Sequence, residues 1–238
     1  MIGSARWLRL VALLIVGAGC ERAHPPAKHD AAVIPIDAPT FEPTDIVLAI
    51  DLSKSMEDTD IAPDRVEATK RAVRRFVAAS THDRIGLVIY GQKPLLAVPL
   101  TAGAKALDDR LARLRIGDVP ELGTALGDAI AVALDELRGS TAKHKAVVLL
   151  GDGDGNWVIK VDPPHAIEIA KTLGIAVFTV MVGKGDGDLL GGASSDAKSL
   201  EHIATATGAT FYRGDDNAML DRNLQALRDK LDALARNR

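Results

Sequence analysis

The sequence is poor in aromatic residues, contains one cysteine and carries little net charge. Aromatic residues make up only 3% of the 238 residues, so the core must be built mainly from Val, Leu, Ile and Ala. A single cysteine excludes an intrachain disulfide bond. The formal net charge of -3 gives no support for nucleic-acid binding through bulk charge. The other proportions, 47% hydrophobic and 26% charged, are those of an ordinary globular protein.

The apolar run near the N-terminus is too short for a permanent membrane span. It covers residues 10–16, whereas a transmembrane helix needs about 20 residues. Arg6 and Arg9 precede the run and three small residues follow it, an arrangement typical of an export signal. We therefore expect residues 1–19 to form a signal peptide.

Cys20 directly follows the small residues and resembles the lipidated cysteine of bacterial lipoproteins. The resemblance implies cleavage before Cys20 and attachment of lipid to it, although Gly17 stands where such signals usually have Leu. Ordinary secretion, with Cys20 as a free thiol, is the alternative. Acyl chains would hold the protein on a membrane, because each buried CH₂ contributes about 0.8 kcal/mol. We expect a lipid-anchored protein of the bacterial cell envelope, on the periplasmic side or in the outer membrane.

Residues 20–43 are rich in Pro and Ala and show neither helical nor strand periodicity, which predicts an extended tether. Over residues 44–238, short apolar runs alternate with helical patterns, which indicates one domain. The predicted strands cover residues 45–51, 83–90, 95–100, 145–151, 175–182 and 210–212. The predicted helices cover residues 63–79, 104–114, 123–137, 166–173, 200–207 and 217–235.

This alternation predicts an α/β fold: a three-layer, Rossmann-like, doubly wound sheet with helices on both faces. The sheet should be mostly parallel. The strand at 95–100 should be one short antiparallel edge strand, because the short gap 91–94 suits a hairpin. Ligands of such sheets bind beyond the carboxyl ends of the strands, at the switch in strand order.

The most informative stretch is a buried strand that ends in polar side chains. Residues 46–50 are all apolar, and Asp51, Ser53 and Ser55 follow at every second position. Unpaired polar groups at the end of a buried strand are costly, so we expect these side chains to bind something. Carboxylate and hydroxyl oxygens are hard donors that suit Mg²⁺ or Mn²⁺ better than Zn²⁺. The alternative is that they only cap turns and helices.

Two later stretches supply the same kind of donor. Thr124 lies at the start of a predicted helix, and Asp152 ends a second buried strand. With the D-x-S-x-S stretch they resemble the metal-ion-dependent adhesion site (MIDAS) of the von Willebrand factor A (VWA) family. The resemblance covers residue 45 to the C-terminus and implies the VWA fold. It implies that Ser53, Ser55 and Thr124 ligate Mg²⁺ (or Mn²⁺ or Ca²⁺) directly, and that Asp51 and Asp152 hold it through waters, or one of them directly.

The closer resemblance is to the Bat-type bacterial members of this family. It rests on further segments that look like that group: 65–70, 83–88, 99–101, 123–130 and 175–180. Gly151 departs from the family pattern, which usually has Thr before the Asp. Bat-type proteins usually carry membrane helices beside the domain, and we expect a lipid on Cys20 to replace them here. They also occur with MoxR-type ATPases in assembly or stress roles, a link that export would prevent from being direct.

The resemblance implies a membrane-anchored module for metal-dependent protein recognition, with no catalytic residues. An Asp or Glu carboxylate of a partner protein would fill the remaining coordination position of the ion. Trp157 and Asp154, which follow the second strand end, are candidate rim residues that contact the partner. The alternative for Trp157 is that it folds onto the sheet edge.

A metal-dependent hydrolase that uses the same site is the alternative function. It needs a general base, but His144, His165 and His202 are scattered and none falls at a strand end. A nucleotide-binding domain is disfavoured, because the sequence has neither G-x-x-x-x-G-K-[ST] nor G-x-G-x-x-G after the first strand. We therefore expect a non-enzymatic protein with no nucleotide and no nucleic acid as partner.

Overall fold

The computed structural model describes residues 42–185 and 195–236, in which six strands form one sheet between two layers of helices. The strands are β1 (Thr44–Asp51), β2 (Arg84–Tyr90), β3 (Leu95–Ala102), β4 (His144–Gly151), β5 (Ala176–Val182) and β6 (Phe211–Gly214). The helices are α1 (Arg65–Ala79), α2 (Ala104–Ala112), α3 (Leu126–Arg138), α4 (Pro163–Leu173), α5 (Ser195–Ala206) and α6 (Asn217–Arg236). A short 3₁₀ turn, Lys54–Glu57, follows β1.

The strand order is β3-β2-β1-β4-β5-β6, and β3 alone runs antiparallel to its neighbour in this sheet. From β1 the chain moves to one side of the sheet, and from β4 it moves to the other. The boundary between β1 and β4 is therefore the switch point, where sheets of this kind bind ligands beyond the carboxyl ends of the strands. The predicted three-layer, mostly parallel α/β fold is confirmed.

The central strand β1 is buried along its whole length, because helices cover both faces of the sheet. Ile46, Leu48 and Ile50 face the layer formed by α1, α2 and α6. Val47 and Ala49 face the layer formed by α3, α4 and α5. Side chains alternate between the two faces of a strand, so both layers take their share of this apolar run. The run ends where the chain reaches the carboxyl edge of the sheet.

The edge strand is longer than predicted. β3 is the predicted antiparallel edge strand, but it has eight residues and ends at Ala102 instead of residue 100. Pro99 lies inside β3 without ending it, because an edge strand has backbone groups that need no partner strand. Residues beyond Leu100 still pair with β2, as the partners Ile85 and Thr101 show.

Four helix starts also differ from the prediction. α1 begins at Arg65 and not at residue 63, and α4 begins at Pro163 and not at residue 166. α3 begins at Leu126 and not at residue 123, because the residues before it form a loop in which the N–H of Ala125 donates to the carbonyl of Gly91 at 2.8 Å. α5 begins at Ser195, before the predicted start at residue 200. The 3₁₀ turn after β1 was not predicted.

The N-terminal predictions lie outside the described residues. They concern the signal peptide 1–19, the lipidation of Cys20 and the tether up to residue 41, and they stay predictions. Within residues 42–185 and 195–236, the helices include none that is long and apolar enough to cross a bilayer.

Candidate metal centre

The first loop of the candidate site begins at Asp51, at the carboxyl end of β1. This side chain is fully buried, and its Oδ1 accepts a hydrogen bond from the backbone N–H of Ser53 at 2.7 Å. Its Oδ2 is also buried and has no hydrogen-bond partner in the part of the chain that the structure describes. The Oγ atoms of Ser53 and Ser55 lie 3.2 Å apart, at the entry to the 3₁₀ turn.

The spacing of these two hydroxyls fits neighbouring ligands of one small cation. Adjacent ligands of an octahedral Mg²⁺, each about 2.1 Å from the ion, are roughly 3.0 Å from each other. The two Oγ atoms are close to this separation. The first loop therefore offers three oxygens of the type that a hard divalent cation prefers.

Thr124 belongs to a second loop, which faces the first across an open cleft. The N–H of Thr124 donates to Oδ1 of Asn156 at 3.0 Å, and the N–H of Lys54 donates to the carbonyl of Glu121 at 3.1 Å. These bonds join the second loop to the loops on either side of it. The cleft between them has a volume of about 270 Å³. It is lined by Ser53, Lys54, Ser55, Glu121, Leu122, Gly123, Thr124, Asp154 and Asn156.

Asp152 begins a third loop at the end of β4, the strand next to β1. Its Oδ1 accepts a hydrogen bond from the N–H of Asp154 at 3.2 Å. Its Oδ2 accepts one from Nη1 of Arg65 at 3.2 Å, and the same nitrogen donates to the carbonyl of Ser55 at 3.3 Å. Arg65 therefore ties the third loop to the first.

Arg65 is a residue of the site whose role was not predicted from the sequence, although it lies in segment 65–70, which resembles the Bat-type group. Its side chain is 9% exposed, and Nε and Nη2 bond the two carboxylate oxygens of Asp60 at 2.8 and 3.1 Å. Asp60 accepts a further bond from the N–H of Lys184 at 2.8 Å, and the guanidinium lowers the pKa of its carboxyl. In the sequence, the only sign of this role is a basic residue near the start of a predicted helix. The contact of Arg65 with Asp152 joins residues that are 87 positions apart.

The electrostatics at Asp51 favour a nearby cation. Burial raises the pKa of the Asp51 carboxyl to about 8, and the Asp152 carboxylate adds to the increase. The ionised form is disfavoured as long as no positive charge lies beside it. A divalent cation would supply both the charge and a partner for the free Oδ2. On these observations the residues present fit a hard divalent cation.

Tyr90 accounts for the unusual Gly151. A β-carbon at position 151 would lie 2.7 Å from Oη of Tyr90 and 2.8 Å from Oδ2 of Asp51, too close for any side chain. Tyr90 is fully buried at the end of β2, and its hydroxyl donates to the carbonyl of Leu150 at 3.3 Å. Burial, and then the two neighbouring carboxylates, raise the pKa of Tyr90, so the hydroxyl keeps its proton. The tyrosine thus uses the space that a Thr before Asp152 would need.

The structure places the five predicted metal-site residues at one end of the sheet, at two depths. Ser53, Ser55 and Thr124 line the cleft. Asp51 and Asp152 are 0% and 6% exposed, at the ends of neighbouring strands. Their roles as ligands stay predictions.

The two predicted rim residues also lie at this end of the sheet. Asp154 lines the cleft. Trp157 is 43% exposed and packs beside the second loop, where a β-carbon at Gly123 would lie 3.3 Å from Cβ of Trp157.

The donor set differs from that of the common transition-metal sites. In residues 42–185 and 195–236, no three or more His, Cys, Asp or Glu side chains form a group that could hold a metal ion. The candidate site has two carboxylates, and hydroxyls complete the set of donors. The histidines of the described ranges are not among the residues that line the cleft. Hydroxyl and carboxylate oxygens suit Mg²⁺, Mn²⁺ or Ca²⁺, whereas structural Zn²⁺ sites use Cys and His.

The fold and the site together define a class of protein. It is an α/β domain with a mostly parallel sheet that carries hydroxyl and carboxylate side chains at the switch point. Within this class, the family model of the von Willebrand factor type A domain matches residues 46–154. The match begins in β1 and ends just after Asp152, so it includes all three loops of the candidate site. Over residues 46–154 the chain therefore matches the von Willebrand factor type A domain, the family that its sequence resembles.

The chain is similar to a UPF0353 protein of Mycolicibacterium paratuberculosis, with 29% identity over 203 residues that cover 78% of this chain and 60% of that protein. It spans 54% and 60% of the length of the first two curated relatives that it matches. A solved structure of an aerotolerance-related membrane protein from Bacteroides fragilis is similar with a TM-score of 0.68 and 22% identity, over 80% of this chain and 99% of that one. BatB from Bacteroides thetaiotaomicron is similar with the same TM-score and identity, over 82% and 100%. At this identity the two structures show a shared fold, with which the Bat-type resemblance is consistent.

We predict that Gly151→Ala lowers the free energy of unfolding by about 1–3 kcal/mol, because the added methyl group overpacks the space beside Tyr90 and Asp51. Tyr90→Phe in the same chain should recover part of the loss, since it removes the nearer of the two atoms. Urea unfolding measures both. Gly139→Ala is the matched control, because nothing lies within 4 Å of its β-carbon. A neutral Gly151→Ala would show that the packing described around Tyr90 is wrong.

We predict that Arg65→Ala lowers the free energy of unfolding by about 3–5 kcal/mol, because it leaves the buried Asp152 without its counter-charge. Arg74→Ala is the control: it breaks an exposed ion pair with Asp108 and should cost about 0–1 kcal/mol. Chemical unfolding at neutral pH measures the difference. Equal effects of the two substitutions would contradict a bracing role for Arg65.

Proposed function

We propose that this domain binds a hard divalent cation, Mg²⁺ in the first place, and through it a carboxylate of another protein. The observation that carries the proposal is the buried Oδ2 of Asp51, which has no hydrogen-bond partner among residues 42–185 and 195–236. Asp51 is bonded through its other oxygen to Ser53, which lines the cleft. A buried oxygen of this kind is costly unless something binds it. In this proposal the cation is the partner of Oδ2 of Asp51, and all three loops contribute oxygens to its site.

Each residue has a role in this proposal that follows from its depth. Ser53, Ser55 and Thr124 present neutral hydroxyls from the cleft walls and would ligate the ion directly. Asp51 and Asp152 provide the negative charge from below, directly or through waters. Neutral direct ligands leave a bound Mg²⁺ strongly electrophilic, so it can accept one more anionic oxygen from outside.

Recognition fits the cleft better than hydrolysis does. A hydrolytic site needs a general base and an enclosed pocket that positions the attacking water. Here the walls are open: the side chain of Lys54 is 59% exposed and Leu122 is 79% exposed. A wide, exposed mouth suits a protein surface that closes over it.

The setting of this function is part of the proposal. The related Bacteroides fragilis structure is described as an aerotolerance-related membrane protein. We propose for this chain a place in the bacterial cell envelope, anchored through Cys20, in complexes of assembly or stress response. The partner is a protein that presents an Asp or Glu side chain.

We predict that Mg²⁺ stabilises the wild-type protein against heat and does not stabilise Asp51→Asn. At a Mg²⁺ concentration of a hundred times Kd, linkage gives about 2.7 kcal/mol, which is roughly 5–10 °C for a domain of this size. In EDTA, Asp51→Asn should be at least as stable as wild type, because an amide replaces a buried acid. Thermal unfolding with Mg²⁺ and with EDTA measures all four states.

Asp135→Asn is the control for this experiment, because Asp135 is exposed on α3 away from the cleft. It should gain the same stability from Mg²⁺ as wild type. A Mg²⁺ effect that persists at full size in Asp51→Asn would place the ion elsewhere and defeat the proposal.

We predict that wild-type protein retains a partner from membrane extract in Mg²⁺ and releases it in EDTA, whereas Asp51→Asn retains none. A carboxylate ligand requires the ion, so both changes remove the same contact. Affinity capture followed by identification of the bound proteins measures this. Phosphatase or esterase turnover that needs Mg²⁺ and disappears in Asp51→Asn would instead favour the hydrolase.

A further inference from the structure

Exposed apolar side chains are concentrated beside the candidate metal site. The large hydrophobic residues that are exposed in the described ranges are Leu95, Leu122, Trp157, Val158, Ile159 and Leu234. Four of these six belong to two short segments next to Thr124 and Asn156. We call Leu122, Trp157, Val158 and Ile159 the apolar rim.

The apolar rim is continuous with the metal site. Leu122 is 79% exposed and lines the same cleft as the site hydroxyls. The N–H of Trp157 donates to the carbonyl of Thr124 at 3.2 Å, so the two rim segments meet at a candidate ligand. A group that enters this cleft therefore passes alongside Leu122, and the exposed segment 157–159 follows directly after the cleft residue Asn156.

The backbone of the rim is held in place, although its side chains face outward. Asp128, in the first turn of α3, accepts hydrogen bonds from three successive N–H groups, of Ile159, Lys160 and Val161, at 2.7, 3.0 and 3.1 Å. α3 approaches this segment so closely that a β-carbon at Gly127 would lie 2.4 Å from the carbonyl of Val161. A buried carboxylate thus fixes the backbone that carries Val158 (52% exposed) and Ile159 (43% exposed). A fixed apolar surface loses little entropy when a partner covers it.

The charge around the cleft limits what can bind there. Glu121 and Asp154 line it, and the exposed Lys54 is paired with Glu57. An acidic partner is therefore not attracted by the side chains alone, and it needs the cation. A partner without a carboxylate would leave the cation without its outer ligand.

We infer that the partner presents a carboxylate together with a large apolar side chain one or two residues away, which the apolar rim covers. This inference rests on the proposed function and names the kind of segment that the site recognises. The ion takes the Asp or Glu, and Leu122 with Val158 and Ile159 excludes water from around it. Apolar side chains that shield a central polar contact are a recurring feature of tight interfaces.

The test is a selection of displayed random linear peptides on the immobilised full-length chain, with capture in Mg²⁺ and release by EDTA. The result expected is enrichment of peptides with an Asp or Glu that has Leu, Ile, Val, Met, Phe or Trp within two positions. Substituting the acid by its amide, or the apolar residue by Ser, should each weaken binding of a selected peptide about tenfold or more.

Variants of the chain supply the second arm of the test. Leu122→Ser and Val158→Ser change exposed side chains, so they should fold normally and bind Mg²⁺ as wild type does. Each should weaken the selected peptide about tenfold. Leu234→Ser is the matched control, because Leu234 is as exposed as Trp157 but lies in the last turns of α6. It should change nothing.

The outcomes separate this inference from the function on which it rests. Enriched peptides that share an acid but no apolar neighbour would overturn the role of the rim and leave metal-dependent recognition intact. Absence of any EDTA-releasable peptide would overturn both. Self-association of the chain in Mg²⁺ that Leu122→Ser abolishes would show that a second copy covers the rim, and would also overturn the inference.

Discussion

The site depends on one electrostatic constraint, the placement of two buried carboxylates at the ends of neighbouring parallel strands. Pairing of β1 with β4 brings Asp51 and Asp152 to the same edge of the sheet, where both side chains are buried. Arg65 compensates the charge of Asp152 from one side. Among the described residues Oδ2 of Asp51 has no hydrogen-bond partner, and burial raises the pKa of this carboxyl. The surrounding loops are arranged around that uncompensated oxygen.

Two residues outside the recognised motif adapt this chain's version of the site. Tyr90 fills the space beside Asp51, which leaves room only for glycine at position 151. Arg65 spans from the first loop to the third and fixes their separation through single hydrogen bonds to each. Neither residue faces the cleft. Tyr90 restricts the position of the Asp51 carboxylate by packing, and Arg65 restricts that of Asp152 by a hydrogen bond.

The metal site and the apolar rim share their supports. The side chain of Asn156 accepts a hydrogen bond from the N–H of Thr124, and the N–H of Trp157 donates to the carbonyl of Thr124. Asp128 accepts from the N–H of Ile159, in the segment that follows. A movement of Thr124 toward an ion would therefore be transmitted to the rim through its bond to the Asn156 side chain and its backbone bond to Trp157. In the proposed function, this connection lets loading of the ion and presentation of the apolar surface reinforce each other.

The sequence by itself determined the fold class, the order of the elements, and the two strand ends and one helix start where the polar residues gather. It could do so because apolar periodicity and the exit of a polar residue from a buried run are local properties of the chain. The length of β3 and the start of α3 depended on the pairing of an edge strand and on a loop bonded to Gly91, which no local pattern carries. Only the tertiary structure decided that Arg65 reaches Asp152, that Tyr90 excludes a side chain at 151 and that Trp157 bonds to Thr124. These contacts join residues far apart in sequence, and their energies exist only once the sheet has brought the loops to one edge.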